Sequence, residues 1–174
     1  GFIYGITAPS GTGKTTLLNL IGNILKPAQG EIETDFKTGI AYVFQEPELL
    51  SQLTIAENIA LPLAAYLKKE IAFEQAISIL QKMELDGFEN RFPNELSFGQ
   101  QQRAAIARAL TYPSPLLLMD EPFKGLDEAL SRRIIKRIRE RQTENGQTIL
   151  FTSHNPGELR LFADKTVRLD PTSH

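Results

Sequence analysis

The sequence predicts an α/β fold in which a mostly parallel sheet is flanked by helices and an inserted helical subdomain interrupts the core. Apolar, strand-like runs alternate with amphipathic helical patterns over most of the chain, an alternation typical of parallel sheets. A glycine-rich turn near the start joins the first apolar run to a helical pattern. We expect a single domain over residues 1–174, with a core at 1–48 and 112–174 and a helical subdomain at about 49–111.

Length and composition narrow the possible classes of protein. A chain of 174 residues fits one domain with a sizeable core, and its formal net charge of −2 gives no overall attraction to nucleic acid or anionic membranes. The sequence has no cysteine, which excludes disulfides and thiolate metal sites. No apolar run approaches the roughly 20 residues that span a bilayer. We therefore expect a soluble, cytoplasmic chain.

The individual elements follow from local patterns. Continuous apolar or β-branched runs predict strands, in chain order, at 2–6, 31–33, 39–44, 116–119, 148–152 and 166–169. Helical spacing of apolar residues predicts helices at about 14–25, from 54 onward, at 71–85, from 97 to about 110, and at 128–144. Thr54 and Glu57 form a capping box at one helix start, Pro62 breaks that helix, and Gly146 caps the last one.

The segment 8–16, Ala-Pro-Ser-Gly-Thr-Gly-Lys-Thr-Thr, is typical of a phosphate-binding loop. Its glycines let backbone N–H groups turn inward around a phosphate, and the following helix adds free N–H groups and a positive dipole end. The lysine can reach the β- and γ-phosphates of a nucleotide, and the next hydroxyl is placed to ligate Mg²⁺. Ala8 stands where the pattern has its first glycine. Alanine is compatible with this position as long as the φ there is negative. The candidate nucleotide-binding residues are Ser10, Gly11, Thr12, Gly13, Lys14, Thr15 and Thr16.

Polar side chains also follow three other predicted strands: Gln45, the pair Asp120 and Glu121, and His154. Open α/β sheets bind ligands beyond the carboxyl ends of their strands, so we expect these side chains to converge on the loop. Asp120, Gln45 and Thr15 suit a Mg²⁺ site, Glu121 suits a general base that activates water, and His154 suits a donor to the γ-phosphate. Taken singly, such residues are common at exposed strand ends, helix caps and turns, so the prediction depends on their convergence.

Together these motifs resemble those of the ATP-binding cassette (ABC) ATPases, in that family's order and over essentially the whole chain. Ser97-Phe98-Gly99-Gln100, within 96–103, looks like the family signature LSGGQ. The resemblance implies that the phosphate loop binds ATP and Mg²⁺. It further implies that Gln45 is the Q-loop residue, that Asp120 ends the Walker B strand and that Glu121 is the catalytic base. Asp127 then belongs to the D-loop, and His154 is the switch histidine.

The resemblance also implies an assembly. In this family the signature, here Ser97, Gly99 and Gln100, closes over ATP held by a second ATPase subunit in a head-to-tail dimer, and hydrolysis opens that dimer. The implied partners are that second subunit and transmembrane permease subunits, which hold the ATPase at the inner face of the cell membrane. The implied function is ATP hydrolysis that drives transport, with no nucleic acid as partner.

The sequence departs from the family pattern at Ala8, at Phe98 in place of the first signature glycine, and at Lys124-Gly125 in the D-loop. The antiparallel strands that usually precede the phosphate loop, with their adenine-stacking aromatic residue, have no counterpart here, and we expect weaker ATP binding. In having Phe123 directly after Asp-Glu-Pro, the sequence resembles cassettes of the nitrate, sulfonate and taurine group.

Two other functions stay open. The first is a soluble ABC-type ATPase that acts on nucleic acid or ribosomes, which the arginine-rich helix 128–144 favours. The second is a regulatory cassette that binds ATP without hydrolysing it. The presence of both Glu121 and His154 argues against this second alternative.

Overall fold

The computed structural model describes residues 1–33 and 39–170, and this part of the chain forms a parallel sheet with helices packed around it. The strands are β1 (Ile3–Thr7), β2 (Ala41–Val43), β3 (Leu116–Asp120), β4 (Thr148–Thr152) and β5 (Lys165–Arg168). Their order across the sheet is β2-β3-β4-β1-β5, and each neighbouring pair is parallel. The predicted α/β class is confirmed, and β5 is the edge strand that its sequence predicts.

The helices connect these strands. They are α1 (Lys14–Ile21), α2 (Ile55–Ala60), α3 (Lys69–Lys82), α4 (Phe98–Thr111), α5 (Glu128–Asn145) and α6 (Pro156–Phe162), with short 3-10 turns at Leu61–Leu63 and Pro93–Glu95. The Thr54 side chain accepts from the Glu57 N–H at 3.3 Å while Glu57 accepts from the Thr54 N–H at 2.8 Å, so the predicted capping box is present. Pro62 lies in the 3-10 turn that ends α2, as predicted.

The core lies on both faces of the sheet. Alternate residues of β3 point to opposite sides, because successive side chains of a strand do so. Leu117 and Met119 join a large buried cluster with apolar side chains of α2 to α6, whereas Leu116 and Leu118 join a smaller one with Leu18 of α1. Helices therefore cover both faces, which is why β3 consists of buried residues throughout.

One predicted strand and one predicted helix boundary are wrong. Residues 31–33 are exposed, irregular chain rather than a strand, and Ile32 buries no apolar face there because its side chain is 42% exposed. Helix α1 ends at Ile21 instead of 25, since Gly22 caps it and Asn23 has a φ of +57° that leaves the helical region. The last two apolar residues of the predicted helix, Ile24 and Leu25, are exposed.

Helix α6 was absent from the predicted elements. The Asn155 side chain accepts from the Gly157 N–H at 2.8 Å and Pro156 occupies the first helical position. Asn followed by Pro is a normal helix start, although the segment also has the composition of a turn. The helix matters for the site because it begins directly after His154.

Candidate functional site

The phosphate loop between β1 and α1 is held open by its own backbone. Gly11 and Gly13 have φ of +77° and +90°, and a Cβ added to either would meet nothing within 4 Å. The Thr12 hydroxyl donates to the Pro9 carbonyl at 2.7 Å and closes the turn. Ala8 is absent from the described residues with positive φ, so alanine fits the position where the pattern has glycine. The loop thus presents a concave backbone with free space around both glycines.

Lys14 and the start of α1 face this loop. The side chain of Lys14 is buried, and its Nζ donates to the carbonyls of Ala8 at 3.1 Å and Pro9 at 3.4 Å. The N-cap residue of α1 is Gly13, and in the described structure no side-chain hydrogen bond caps this end of the helix. Its first-turn N–H groups therefore remain available to an anion.

A buried carboxylate links the loop to the middle of the sheet. Asp120, which is 2% exposed, accepts from the Thr15 hydroxyl at 2.6 Å and from the Thr152 hydroxyl at 2.6 Å, one on each carboxylate oxygen. The register of the sheet explains this arrangement, because Asp120 lies beside Thr152 and Thr152 lies beside Ile6 of β1. The phosphate loop and the ends of β3 and β4 therefore meet at Asp120.

Glu121 continues this row toward solvent. Its N–H donates to the Thr152 hydroxyl at 3.0 Å, and its Oε1 lies 2.9 Å from Nε2 of His154. The φ of Glu121 is +45°, an unusual value for a residue with a side chain, and strained conformations of this kind concentrate at functional sites. A carboxylate oriented by a neighbouring imidazole is a sound arrangement for a general base.

Sequence reasoning missed three residues that complete the arrangement, namely Thr152, Ser153 and Glu158. Thr152 bridges Asp120 and the Glu121 backbone through one fully buried hydroxyl. Behind His154, the Ser153 hydroxyl donates to Glu158 at 2.5 Å and accepts from the Asn155 N–H at 2.9 Å. Burial raises the pKa of Glu158, and the negative charge of Glu121 adds to this, although the hydrogen bonds from Ser153 and Asn155 oppose it. No local sequence pattern marks Thr152, because its role follows from the register between β3 and β4.

The segment after β2 carries Gln45 and is attached to α4. Gln102, which is fully buried, donates to the Phe44 carbonyl at 3.4 Å, and Arg108 donates to the carbonyls of Pro47 at 3.2 Å and Glu48 at 2.7 Å. Gln45 itself is half-buried. Among residues 1–33 and 39–170 no hydrogen bond joins it to Thr15 or Asp120, although β2, which precedes it, lies next to β3 in the sheet.

The signature-like residues make their described hydrogen bonds within their own helix starts. Ser97 caps α4, with its side chain accepting from the Gln100 N–H at 3.4 Å and the Gln100 side chain accepting from the Ser97 N–H at 2.8 Å. Asp127 caps α5 by accepting from the Leu130 N–H at 2.8 Å. Within the described parts of the chain, no hydrogen bond or ion pair connects Ser97, Gln100 or Asp127 with the loop, and Gly99 instead approaches Gly125.

The comparison with known proteins decides the family. The sequence profile described as ABC transporter matches residues 1–124. The chain belongs to the ABC transporter family. The cassette is 38% identical to the thiamine import ATP-binding proteins ThiQ of Shigella flexneri serotype 5b (strain 8401) and Escherichia coli O157:H7. In both cases the similarity covers 93% of this chain and 74% of the relative.

Solved structures give the same result. The dimeric structure of a post-hydrolysis state of the ATP-binding cassette MJ0796, bound to ADP and Pi, is 34% identical with a TM-score of 0.87. The match covers 98% of this chain and 82% of that chain. A second dimeric structure of MJ0796, described as a bacterial ABC transporter cassette, has a TM-score of 0.86 at 34% identity and covers 97% of this chain and 81% of that one. The ABC cassette described here is thus an ATPase, the nucleotide-binding subunit of a membrane transporter.

The residues of the cassette fit ATP and Mg²⁺, the cofactors of this family. Because Gly11 and Gly13 have no Cβ, the space beside the loop backbone is open. The Lys14 ammonium donates to two backbone carbonyls that a phosphate can replace. In the part of the chain that the structure describes, no group of three or more His, Cys, Asp or Glu is arranged to hold a metal. The hydroxyl of Thr15 beside Asp120 instead suits a cation that is bound largely through phosphate oxygens.

The described helices include none that is both long and apolar enough to cross a membrane.

Proposed function

We propose that the cassette hydrolyses ATP at the row of residues formed by Thr15, Asp120, Thr152, Glu121 and His154. The observation that carries this proposal is the continuous chain of contacts between them, each 2.6 to 3.0 Å long, which begins at the phosphate loop. It places an oriented carboxylate one residue beyond the buried Asp120. A base close to a phosphate cradle is what hydrolysis of a nucleotide triphosphate requires.

Each residue has a separate role in this proposal. The loop residues, Ser10 to Thr16, bind the phosphates through backbone N–H groups, and Lys14 moves from its carbonyls to the β- and γ-phosphates. Thr15, Asp120 and Gln45 would hold Mg²⁺, which would compensate for the negative charge of the phosphates. Glu121 accepts the proton of the attacking water, and His154, which orients Glu121 in this structure, donates to the γ-phosphate when ATP is bound.

We further propose that the signature acts in a second copy of the cassette. Ser97, Gly99 and Gln100 lie at the start of α4 and Asp127 at the start of α5, and in the described structure they form no hydrogen bond with the phosphate loop of their own chain. Helix N-termini attract anions. The dimeric structures of MJ0796 support a head-to-tail pair in which these residues close over ATP bound to the partner. The helical region 49–111, in which α2, α3 and α4 contact one another, is the subdomain that would move on closure.

The proposed role in the cell is that of an importer subunit at the inner face of the membrane. Permease subunits would bind at about 46–53, where Glu46 and Leu50 are exposed. The ThiQ relatives make thiamine the first solute to test. They do not support the nitrate, sulfonate and taurine group suggested by Phe123, whose ring is buried against Phe162 and has a packing role instead.

The structure removes the main support for a nucleic-acid partner. Four arginines of α5 form ion pairs, Arg132 with Glu128, Arg133 with Glu84, Arg137 with Glu140 and Arg139 with Asp164. A fifth, Arg141, donates to the Leu110 carbonyl at 2.6 Å. The helix therefore presents mixed charge instead of a basic surface that could neutralise phosphates.

The Glu121→Gln variant tests the proposal. It removes the base and keeps the shape, so we expect the ATP hydrolysis rate to fall by about 10²–10⁴-fold while ATP binding is retained. With ATP and Mg²⁺, light scattering should show a shift of the variant from monomer to dimer. A second change, Ser97→Arg, should abolish the dimer.

Glu128→Gln is the matched control, because Glu128 is exposed and forms an ion pair with Arg132. It should hydrolyse ATP as the wild type does. If Glu121→Gln hydrolysed ATP at the wild-type rate, the assigned base would be wrong. If it stayed monomeric at saturating ATP, the proposed dimer mechanism would be refuted.

A further inference from the structure

Two of the departures from the family pattern are in contact with each other. The Phe98 ring lies so close to Gly125 that a Cβ added there would be 2.7 Å from Cδ1 and 3.2 Å from Cε1 of the ring. On the other side, a Cβ added to Gly99 would lie 2.9 Å from the Gly125 carbonyl oxygen. The start of α4 therefore packs directly on the backbone of Gly125, and both faces of this contact need glycine.

Lys124 covers the same ring. Its Nζ lies 5.7 Å from the centroid of Phe98 and 3.3 Å from Oε1 of Glu46, the residue after Gln45. The Lys124 side chain is half-exposed, so we assign it a geometric role instead of a large energetic one. Lys124 thus lies near the ring and links the segment that follows Glu121 to the segment after β2.

The segment 121–127 can transmit a displacement at Gly125 to the base. It is a tight turn, with the Lys124 N–H donating to the Glu121 carbonyl at 3.1 Å and the Leu126 N–H donating to the Phe123 carbonyl at 3.1 Å. Phe123 fixes the turn in the core by an edge contact with Phe162, whose centroid is 5.5 Å away. Glu121, at the start of the turn, has the strained φ of +45° and depends on its neighbours to keep it.

We propose that Phe98 is a positioning residue for Glu121. Its ring packs on Gly125 and thereby sets the position of segment 121–127, which carries the base and Asp127, relative to the start of α4. Phe98 and Gly125 act as a matched pair, because a ring at 98 requires the absence of a Cβ at 125. This inference rests on the proposed function, since it assigns the effect of the contact to hydrolysis.

The test is a cycle of variants in the full chain, with ATP hydrolysis and Tm as readouts. Gly125→Ala introduces the clash, and we expect kcat to fall about tenfold while KM for ATP stays within about twofold, because the phosphate loop is untouched. Phe98→Ala should lower kcat about fivefold, and Phe98→Tyr, which keeps the ring, should restore it. In kcat the double variant should match Phe98→Ala, because the added methyl group then has space, whereas its Tm should be lower because the φ of +79° at position 125 still strains an alanine.

Gly146→Ala is the matched control. Gly146 has a φ of +67° and nothing within 4 Å of an added Cβ, so the variant has the backbone strain of Gly125→Ala without the clash. It should lower Tm and leave kcat unchanged. If the two changes in the double variant multiplied, or if Phe98→Ala hydrolysed ATP at the wild-type rate, the positioning role would be refuted. A wild-type chain that did not hydrolyse ATP would instead refute the proposed function and, with it, this inference.

Discussion

Thr152→Val is the most informative single change, because it removes one oxygen atom and nearly preserves the shape of the side chain. The hydroxyl makes two hydrogen bonds, a donation to Asp120 at 2.6 Å and an acceptance from the Glu121 N–H at 3.0 Å. Thr152 is fully buried and Asp120 is 2% exposed, so water replaces neither bond easily. Valine leaves a buried carboxylate oxygen and a backbone N–H without that partner.

The magnitude follows from these two losses. A buried polar group that loses its partner costs about 1–3 kcal/mol, which gives a loss of roughly 2–4 kcal/mol after partial relaxation. For a chain of this length, about 1 kcal/mol corresponds to about 2–4 °C in Tm, so Tm should fall by roughly 5–15 °C. The same hydroxyl orients Glu121, and a loss of about 1.4–2.7 kcal/mol in the transition state lowers kcat by about 10–100-fold.

The assay is ATP hydrolysis well below the Tm of the variant, with KM measured separately. KM should change little, because Lys14 and the loop glycines are untouched. Thr152→Ser should recover most of the rate since it restores the hydroxyl, and Thr148→Val, at the other end of β4, controls for the same substitution. A destabilised Thr152→Val variant with the wild-type kcat would show that this hydroxyl serves stability alone.

Two further predictions concern pH. Burial disfavours the Asp164 carboxylate, but its hydrogen bond from the Ile3 N–H at 2.9 Å and its ion pair with Arg139 at 2.8 Å outweigh this and lower its pKa. Asp164→Asn should cost about 1–2 kcal/mol of unfolding free energy at neutral pH, and the difference should shrink below about pH 4, as urea denaturation at several pH values can show. Burial raises the pKa of Glu158, so its charged form is less favourable in the folded chain than in the unfolded chain. The wild type should therefore gain stability relative to Glu158→Gln as the pH falls from about 7.5 to about 5, and a constant or opposite difference in Tm would contradict this.

The sequence predicted those parts of the structure that depend on local patterns. The strand, glycine-rich loop and helix at the start of the chain, the capping box at Thr54 and Glu57, and the strands β3 and β4 are confirmed, because composition and spacing determine each of them. The placement of polar residues at one sheet edge followed from the parallel order of the strands. The catalytic roles of these residues stay predictions that the variants above can test.

The features that were missed depend on contacts distant in sequence or on ambiguous signals. Thr152 acquires its role through the register between β3 and β4, which no local pattern reveals. The packing of Phe98 on Gly125 joins residues from two different helix starts. Helix α6 was missed because Asn155 and Pro156 fit a turn as well as a helix start, and α1 was extended too far because Ile24 and Leu25 continue its apolar spacing while lying exposed.

The attachment of α4 to the segment after β2 has a consequence for how this protein can change. Gln102 and Arg108 hold that segment by the carbonyl oxygens of Phe44, Pro47 and Glu48, an atom type that every amino acid provides. Side chains at exposed positions such as Glu46 and Glu48 can therefore be exchanged while the path of the backbone is retained. Evolution can remodel this surface, which we propose as the permease contact, without rebuilding the link between the surface and α4.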